Sequence, residues 1–380
     1  MKSTSVILEE AKSAKSVLCS LDTKTKNEIL LKMADSLIEN CDEILKENAK
    51  DLERAKGNIS DVMLDRLALS EERIKGMADG IRQVAALPDP VGEVLDRVER
   101  PSGIVVEKTA VPMGVVAIIY ESRPNVTSDA AALALKSGNV CVLRGGKEAF
   151  LSADAIVRAM RKGITSMGLP ETLINLVQDT TRQSANELMN AVGYVDLLIP
   201  RGGRGLIDFV RQHATIPVIE TGAGVCHTYF DEFGDIEKGK AIIRNAKTRR
   251  VSVCNALDCL LVHWERLKDL PEMCKALADF NVTVYADTAS YEALKGSYPA
   301  ELLQHATEQD YGTEYLDYKM SIGTSTSLQG AIDHIAIYGS GHSECIVTEK
   351  QEVADYFTRA VDAACVYVNV PTSFTDGGEF

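Results

Sequence analysis

The apolar side chains of the first 90 residues recur at helical spacing. Two such series are Ile29, Met33, Leu37, Cys41, Ile44 and Ile74, Met77, Ile81, Val84. This period predicts helices that each bury one face. Pro88 and Pro90 end the helical pattern. A short segment that alternates apolar and charged residues, 103–111, follows and suits an exposed hairpin.

Apolar runs of strand length alternate with helical stretches from residue 115 onward. The first series has predicted strands at 115–120, 140–143, 173–177, 195–199 and 217–220, and predicted helices at 128–136, 149–167 and 206–213. The second series has predicted strands at 257–263, 282–286, 344–348 and 366–370, and predicted helices at 236–246, 266–280, 327–338 and 350–364. Strands that alternate with helices predict parallel sheets, so the expected fold class is α/β with two domains.

Composition and charge narrow the class of protein. The 380 residues are 45% hydrophobic and 25% charged, which is ordinary for a globular protein with two domains. No apolar run approaches the ~18 residues of a membrane span, and the amino terminus lacks the apolar core of a signal peptide. Nine cysteines without a paired framework indicate reduced thiols, and we expect a cytoplasmic protein. The net charge of −14 argues against a nucleic-acid partner.

The segment RRVSVCNALD (249–258) offers a candidate nucleophile, Cys254. Two arginines precede this cysteine and a predicted strand follows it. The thiolate is the reactive form of cysteine, and nearby positive charge favours it. The competing interpretation is a buried structural cysteine. Cys259 and His263 lie close by, but no second pair of ligands stands at zinc spacing, so the sequence predicts no metal site.

Further motifs follow one another along the chain. They are VPMGVV (111–116), YESRPNVT (120–127), KSGN (136–139), LRGGKEA (143–149), IPRGGRGL (199–206), IETGAGVCH (219–227), YGSGHSE (338–344) and FTDGGEF (374–380). Together with the cysteine segment, this ordered set resembles the gamma-glutamyl phosphate reductases, a family of the aldehyde dehydrogenase superfamily. The resemblance implies an aldehyde dehydrogenase-like fold, with two Rossmann-like α/β domains, parallel-sheet cores and a small oligomerisation hairpin or arm.

The same resemblance implies domain boundaries. The expected boundaries are 1–95 and 113–223 for the NADPH-binding domain, with a return segment at about 349–368; 224–348 for the catalytic domain that carries Cys254; and 96–112 and 369–380 for the hairpin and arm. Because Phe380 ends the sequence inside a family motif, we expect the family's tail to be truncated here. The family pattern also implies a homo-oligomer.

Residues within the motifs acquire roles from the resemblance. The catalytic set is Cys254 as nucleophile, Asn125 as a hydrogen-bond donor to the oxyanion, and Glu220, which would either handle protons or shape the pocket. The cofactor-binding set is Arg123, Pro124, Arg144, Lys147, Gly202, Gly203 and Gly205. The substrate-binding set is Arg250, Asn255, Ser340 and His342. On position alone, a turn asparagine at 125 and a plain strand-to-helix turn at 202–205 stay open.

The activity that the resemblance implies is the NADPH-dependent reduction of L-glutamyl 5-phosphate to L-glutamate 5-semialdehyde, a step of proline biosynthesis, through a thioester on Cys254. The cations Arg144 and Lys147 follow the strand where the superfamily places the adenine-side ribose, and they favour NADP(H). Two alternatives stay open: another aldehyde dehydrogenase that is hydrolytic or uses a different acyl donor, and a non-catalytic subunit that supports a glutamate kinase. Val251 departs from the family pattern, which often has proline there, and residues 370–374 replace a stretch that often carries arginine.

Overall fold

The computed structural model describes residues 2–121, 123–220 and 224–374, except for the side chains of Val62 and Arg204. Motif residues 122 and 221–223 and the predicted arm residues 375–380 lie outside the described residues. The chain divides into two compact units, Met1–Thr221 and Gly222–Phe380. Each unit has a parallel sheet of its own.

The first unit pairs a four-stranded parallel sheet with a set of amino-terminal helices. Its helices are α1 (Thr4–Cys19), α2 (Thr23–Glu39), α3 (Cys41–Ala55), α4 (Asp61–Leu67), α5 (Glu71–Ala86), α6 (Pro124–Lys136), α7 (Phe150–Thr165), α8 (Arg182–Met189) and α9 (Arg204–His213). Its strands are β1 (Val94–Glu99), β2 (Val105–Thr109), β3 (Val115–Tyr120), β4 (Val140–Arg144), β5 (Ile174–Leu176) and β6 (Leu197–Arg201). The sheet order is β5-β4-β3-β6, and every pairing in it is parallel.

The sequence explains why these elements form. All six residues of β3 are buried, as expected for a central parallel strand with helices on both faces. Helix α2 begins after Asp22, whose carboxylate accepts a hydrogen bond from the Thr25 amide at 2.8 Å. The same helix buries Ile29, Met33 and Leu37, which confirms the helical period seen in the sequence.

The second unit is built on a seven-stranded parallel sheet. Its strands are β7 (Cys226–Phe230), β8 (Leu257–His263), β9 (Thr283–Ala286), β10 (Leu303–His305), β11 (Lys319–Ser325), β12 (Ser343–Val347) and β13 (Cys365–Val368). Its helices are α10 (Ile236–Thr248), α11 (Leu270–Ala278), α12 (Thr288–Leu294), α13 (Glu308–Tyr311), α14 (Leu328–Tyr338) and α15 (Gln351–Ala360). The sheet order is β10-β9-β11-β8-β7-β12-β13. Two parallel-sheet units confirm the predicted fold class.

The two faces of the seven-stranded sheet have separate cores. Leu260 and Val262 of β8 pack with residues of α10 and α11 on one face. Cys259 and Leu261 lie in the other core, with residues of α14 and α15. Side chains that alternate along a strand point to opposite faces, so β8 contributes to both cores.

Strands β1 and β2 form a separate antiparallel hairpin, and all of their residues are exposed. The exposed apolar side chains of the hairpin are Val94, Leu95, Val98, Ile104, Val105 and Val106. A role for this hairpin in the self-association of the protein stays a prediction. No helix in the described part of the chain is long and apolar enough to cross a membrane.

Some elements differ from the sequence-based expectation. The predicted strand at 217–220 is a single bridge, Val218 to Leu198, because Pro217 has no amide hydrogen to extend the ladder. The segment 349–368, expected to return to the first domain, instead supplies α15 and β13 to the second unit, where β13 pairs with β12. Strands β7 and β11 were not expected, since buried polar residues interrupt their apolar pattern.

Candidate active site

Cys254 lies in the turn between α10 and β8, in the second unit. The turn closes with a hydrogen bond from the Ala256 amide to the Val253 carbonyl at 3.1 Å. Cys254 itself is half-buried, whereas all seven residues of β8 behind it are buried. The candidate nucleophile therefore stands at the amino end of a rigid strand and keeps some access to solvent.

His342 contacts the thiol of Cys254. Its Nε2 lies 3.2 Å from the Cys254 Sγ, and its Nδ1 lies 2.7 Å from the Ser343 hydroxyl. His342 immediately precedes β12, and β12 and β8 both pair with β7. Strands on either side of a common neighbour are about 9.5 Å apart. The two side chains consequently meet across the start of β7.

Gly224, just before β7, lies directly against the backbone of Cys254. A Cβ at this position would collide with the carbonyl oxygen of Cys254 and lie 2.7 Å from its Cβ. The same carbonyl accepts a hydrogen bond from the Cys226 thiol at 3.2 Å. Burial raises the pKa of Cys226 well above its usual value, with a further rise from the charge of Glu344, so Cys226 keeps the proton that it donates. The backbone of Cys254 is thus held in place by residues at the start of β7.

Asn255 is buried and anchors the other side of the turn. Its amide donates to the Ser373 carbonyl at 3.3 Å, and its own carbonyl accepts from the Thr372 hydroxyl at 2.7 Å. Residues 372 and 373, expected in the arm, are therefore buried beside the nucleophile's turn. Contact of Asn255 with substrate stays a prediction, since the structure gives this side chain a role in holding the turn.

The remaining predicted substrate residues are placed differently. The Ser340 hydroxyl accepts a hydrogen bond from the Val225 amide at 2.9 Å and ties the glycine-rich turn before β12 to the start of β7. Arg250 is exposed at the end of α10, with no ion pair among the described residues. Of the four predicted substrate residues, His342 is the one that reaches the Cys254 sulfur.

Asn125 and Glu220 belong to the first unit. Pro124 begins α6, and the exposed Asn125 donates its amide to Asp129 at 3.1 Å within that helix. Glu220 accepts a hydrogen bond from Arg211 at 2.8 Å through Oε1, while its Oε2 is buried without a hydrogen-bond partner in the described part of the chain. One carboxylate oxygen of Glu220 is therefore taken up by the ion pair with Arg211. The catalytic roles of both residues stay predictions.

Arg144 and Lys147, two basic residues predicted to bind the cofactor, differ in their contacts within the protein. Arg144 is half-buried and donates to the carbonyls of Thr180 and Thr181 at 2.7 and 2.9 Å. Burial lowers its pKa, and the nearby Asp179 opposes that change. Lys147 is exposed and makes no hydrogen bond or ion pair with any described residue. Lys147 is thus available to an anion, whereas Arg144 holds a loop.

Glu121 is a residue of this region that sequence reasoning missed. The amide of Gly203, just before α9, donates to Glu121 Oε2 at 2.9 Å. A Cβ on Gly202 would lie 2.5 Å from the same oxygen. Glu121 follows β3 and the glycines follow β6, and these strands are paired neighbours, so the ends of the two strands meet. A carboxylate therefore lies at the amino terminus of α9, beside the glycines that were expected to bind the cofactor.

Comparison with known proteins places this geometry in a family. The model of the aldehyde dehydrogenase family matches residues 2–282. The gamma-glutamyl phosphate reductase of Phocaeicola vulgatus is 54% identical over 98% of this chain and 89% of its own length. The crystal structure of gamma-glutamyl phosphate reductase from Thermotoga maritima superposes with a TM-score of 0.90 at 41% identity, covering 99% of this chain and 90% of that one.

A more distant neighbour shares the fold alone. The propionaldehyde dehydrogenase from Clostridium phytofermentans has a TM-score of 0.73 at 17% identity over 100% of this chain and 91% of that one. The resemblance found in the motifs is thus confirmed by sequence identity along nearly the whole chain. The chain belongs to the aldehyde dehydrogenase family and, within it, to the gamma-glutamyl phosphate reductases.

Proposed function

We propose that this chain reduces L-glutamyl 5-phosphate to L-glutamate 5-semialdehyde with NADPH and releases phosphate. The observation that carries the proposal is the 3.2 Å contact between His342 Nε2 and Cys254 Sγ in a member of this family. An acyl phosphate needs a nucleophile that forms a thioester, and a thiol beside an imidazole supplies one. The names of close relatives support the substrate.

Cys254 and His342 divide the chemistry between them. A proton on Nδ1, donated to Ser343, leaves the Nε2 lone pair to take the thiol proton. The Cys254 thiolate then attacks the acyl carbon, a carbon–sulfur bond forms, and phosphate leaves with the electron pair of its carbon–oxygen bond. When the thioester has been reduced, the carbon–sulfur bond breaks, the aldehyde departs and Cys254 recovers its proton from His342.

Donors to the oxyanion complete the proposed chemistry. The acyl oxygen becomes negative when the thiolate adds, and the proposed donors are the backbone amide of Cys254 and the side-chain amide of Asn125. Loss of one such donor typically slows an enzyme by ~10²–10³. The hydrogen bonds from Cys226 to the Cys254 carbonyl, and from the Asn255 side chain to residue 373, keep this backbone in place.

Residues of the first unit fit an anionic dinucleotide. Lys147 is exposed and has no ion pair among the described residues, and the Gly203 amide would donate to a phosphate in place of Glu121. NADPH, when bound, supplies the hydride that reduces the thioester. The positive charge at Lys147 and the helix amino terminus of α9 would hold its phosphates, and Pro124 and Arg123 would border the nicotinamide side.

The proposed reaction is tested in reverse, by oxidation of glutamate 5-semialdehyde with NADP⁺. We expect turnover that requires inorganic phosphate, because the Cys254 thioester must be cleaved by phosphate to give the acyl phosphate. Cys254→Ser should abolish turnover with folding intact by circular dichroism. Cys274→Ser, a buried cysteine on α11, is the matched control and should stay active.

Two results would contradict this proposal in different ways. Turnover of similar rate without phosphate would favour a hydrolytic aldehyde dehydrogenase. A folded wild-type chain that binds NADPH but turns over no semialdehyde would favour the non-catalytic subunit. A non-catalytic subunit of this kind would bind a glutamate kinase. Co-sedimentation of the two purified proteins tests that contact.

His342→Ala should slow both turnover and alkylation of the Cys254 thiol. General-base help typically contributes ~10²–10⁴ in rate, so kcat falls by about that factor. Site-specific alkylation by iodoacetamide at pH 7, followed by mass spectrometry, should slow about tenfold or more at Cys254, because a free thiol is only a few per cent ionised there. His213→Ala, on the exposed end of α9, is the control. If His342 only bound substrate, KM would rise and alkylation of the substrate-free protein would be unchanged.

Gly224→Ala should displace Cys254 while the sheet stays folded. The added methyl group meets the carbonyl oxygen and the Cβ of Cys254, so the turn has to move. A shift of about 1 Å at a reacting atom costs ~10² in rate, and we expect kcat/KM to fall by that order. Gly76→Ala in α5, where a methyl group meets nothing within 4 Å, should leave kcat/KM unchanged. Wild-type kcat/KM in Gly224→Ala would remove the close approach from the mechanism.

Glu121→Gln should tighten NADPH binding, and Lys147→Glu should weaken it. The Glu121 carboxylate competes with a phosphate for the Gly203 amide, and one charge at such a site contributes about 1–1.5 kcal/mol, or up to roughly tenfold in Kd. Fluorescence titration of NADPH measures both variants, and Asp154→Asn on α7 is the control. Unchanged Kd for NADPH in Glu121→Gln would show that the phosphates bind away from α9.

The Lys147→Glu variant has its own contradicting outcome. An unchanged preference for NADPH over NADH in this variant would show that Lys147 does not bind the 2′-phosphate.

A further inference from the structure

A second group of histidine and cysteine side chains lies in the second unit, apart from the residues assigned to catalysis. It consists of His227 on β7, Cys259 on β8 and His334 on α14. The parallel register sets His227 directly beside Cys259, and α14 packs over this face of the sheet. His227 and Cys259 are fully buried, whereas His334 is half-buried. Three elements distant in sequence thus bring three ligating side chains together.

The distances suit a single ion. The Cys259 Sγ lies 3.8 Å from the His334 Nε2, and one ligating atom from each residue lies within 4.8 Å of the other two. A tetrahedral zinc ion with bonds of about 2.3 Å to sulfur and about 2.1 Å to nitrogen separates those ligands by roughly 3.6 Å. The two imidazole rings are 5.7 Å apart and nearly perpendicular, so they do not stack on each other. Small side-chain movements would complete the coordination.

A buried carboxylate, that of Glu344, lies beside His227, as is common for histidines that bind metals. Glu344 is buried, accepts the His227 backbone amide at 2.7 Å, and lies 3.2 Å from the His227 Nδ1. This contact is within ion-pair distance but is not a hydrogen bond. Both ring nitrogens of His227 therefore lack a hydrogen-bond partner among the described residues. Unpaired buried nitrogens are costly unless something binds them. A carboxylate behind a histidine is the common support of a metal ligand.

The groups around the cluster suit a bound cation. Cysteine binds metals as the thiolate, and a neutral imidazole nitrogen supplies a lone pair. A divalent ion among these residues would have the Cys259 thiolate and the buried Glu344 carboxylate beside it to balance its charge.

We propose that His227, Cys259 and His334 bind one divalent transition-metal ion, with zinc as the best match to two imidazoles and one thiolate. Glu344 accepts the His227 backbone amide and places its charge beside Nδ1, which leaves Nε2 for the ion. A water molecule fills the fourth position on the side of the half-buried His334. The ion ties β7, β8 and α14 together, and Cys259 lies on the strand that begins just after Cys254. Its role is to hold that strand, and it takes no part in the thioester chemistry.

The sequence-based expectation of no metal rested on ligand spacing. His227, Cys259 and His334 show no such spacing, because their proximity comes from parallel strand pairing and from a covering helix. His263, the residue considered with Cys259 in the sequence, belongs to a different group with Glu232 and Glu265. The proposed site therefore includes Cys259, as considered from the sequence, but with His227 and His334 as the other ligands in place of His263.

Metal stoichiometry tests the proposal directly. All variants carry Cys254→Ser, because the Cys254 and His342 pair is a competing thiol–imidazole site. The full chain is stripped with a chelator and titrated with Zn²⁺ against a chromophoric competitor, and with Co²⁺ by absorption. We expect one equivalent of Zn²⁺ and a thiolate-to-cobalt charge-transfer band. Adding Cys259→Ser should abolish the band, and adding His334→Ala should weaken binding by more than about 100-fold.

Matched variants separate this site from general thiol binding. Cys274→Ser, also a buried cysteine but on the opposite face of the sheet, should keep the full equivalent and the band. Glu344→Gln should weaken binding by about 10–100-fold. If Cys259→Ser unfolds, the half-buried His334→Ala carries the comparison, with folding checked by circular dichroism. Equal Zn²⁺ binding in the parent and in folded His334→Ala, or no Zn²⁺ binding in the parent, would overturn the proposal and leave a histidine–cysteine cluster without a metal.

Discussion

The close approach at the start of β7 is the constraint on which the candidate site depends. Strands β8 and β12 lie on either side of β7, and their amino ends carry Cys254 and His342. Side chains about two strand spacings apart can touch only if nothing stands between them. Gly224 lets the Cys254 turn pack closely against the backbone just before β7, and the Cys226 thiol donates to the Cys254 carbonyl. Cys254, the proposed nucleophile, is therefore positioned mainly by backbone packing.

The sequence predicted the fold well where its apolar pattern was regular. Strand β3 is a uniformly buried apolar run and was predicted at the observed bounds. Strand β8 was also predicted at its observed bounds, although it buries Asp258 and His263 among its apolar residues. Strand β7 was missed because its buried His227 and Thr228 break the apolar run. The segment that ends in β13 was expected in the cofactor-binding domain but lies in the second unit, since local periodicity reports that a strand exists and carries no information on its neighbour.

The residues of the candidate site could be predicted from the motifs, but the contacts between them could not. The motifs singled out Cys254 and His342 separately, but the contact between them depends on strand order, which sequence spacing does not encode. Arg144 was expected at the cofactor, yet one of its guanidinium nitrogens donates to two backbone carbonyls, while its buried Nε has no hydrogen-bond partner among the described residues. Glu121 was overlooked because its effect appears only when the ends of β3 and β6 are placed side by side.

Strand β8 presents two cysteines with histidine neighbours in contrasting surroundings. Cys254 lies before the strand, half-buried, and meets one imidazole whose other nitrogen contacts a hydroxyl. Cys259 lies within the strand, fully buried, between two imidazoles with a carboxylate behind one of them. Access decides their chemistry: the first thiol can meet a substrate, and the second can meet only what fits among its neighbours. The same pairing of β7 with β8 thus places the proposed nucleophile at the amino end of β8 and the proposed metal ligand within the strand.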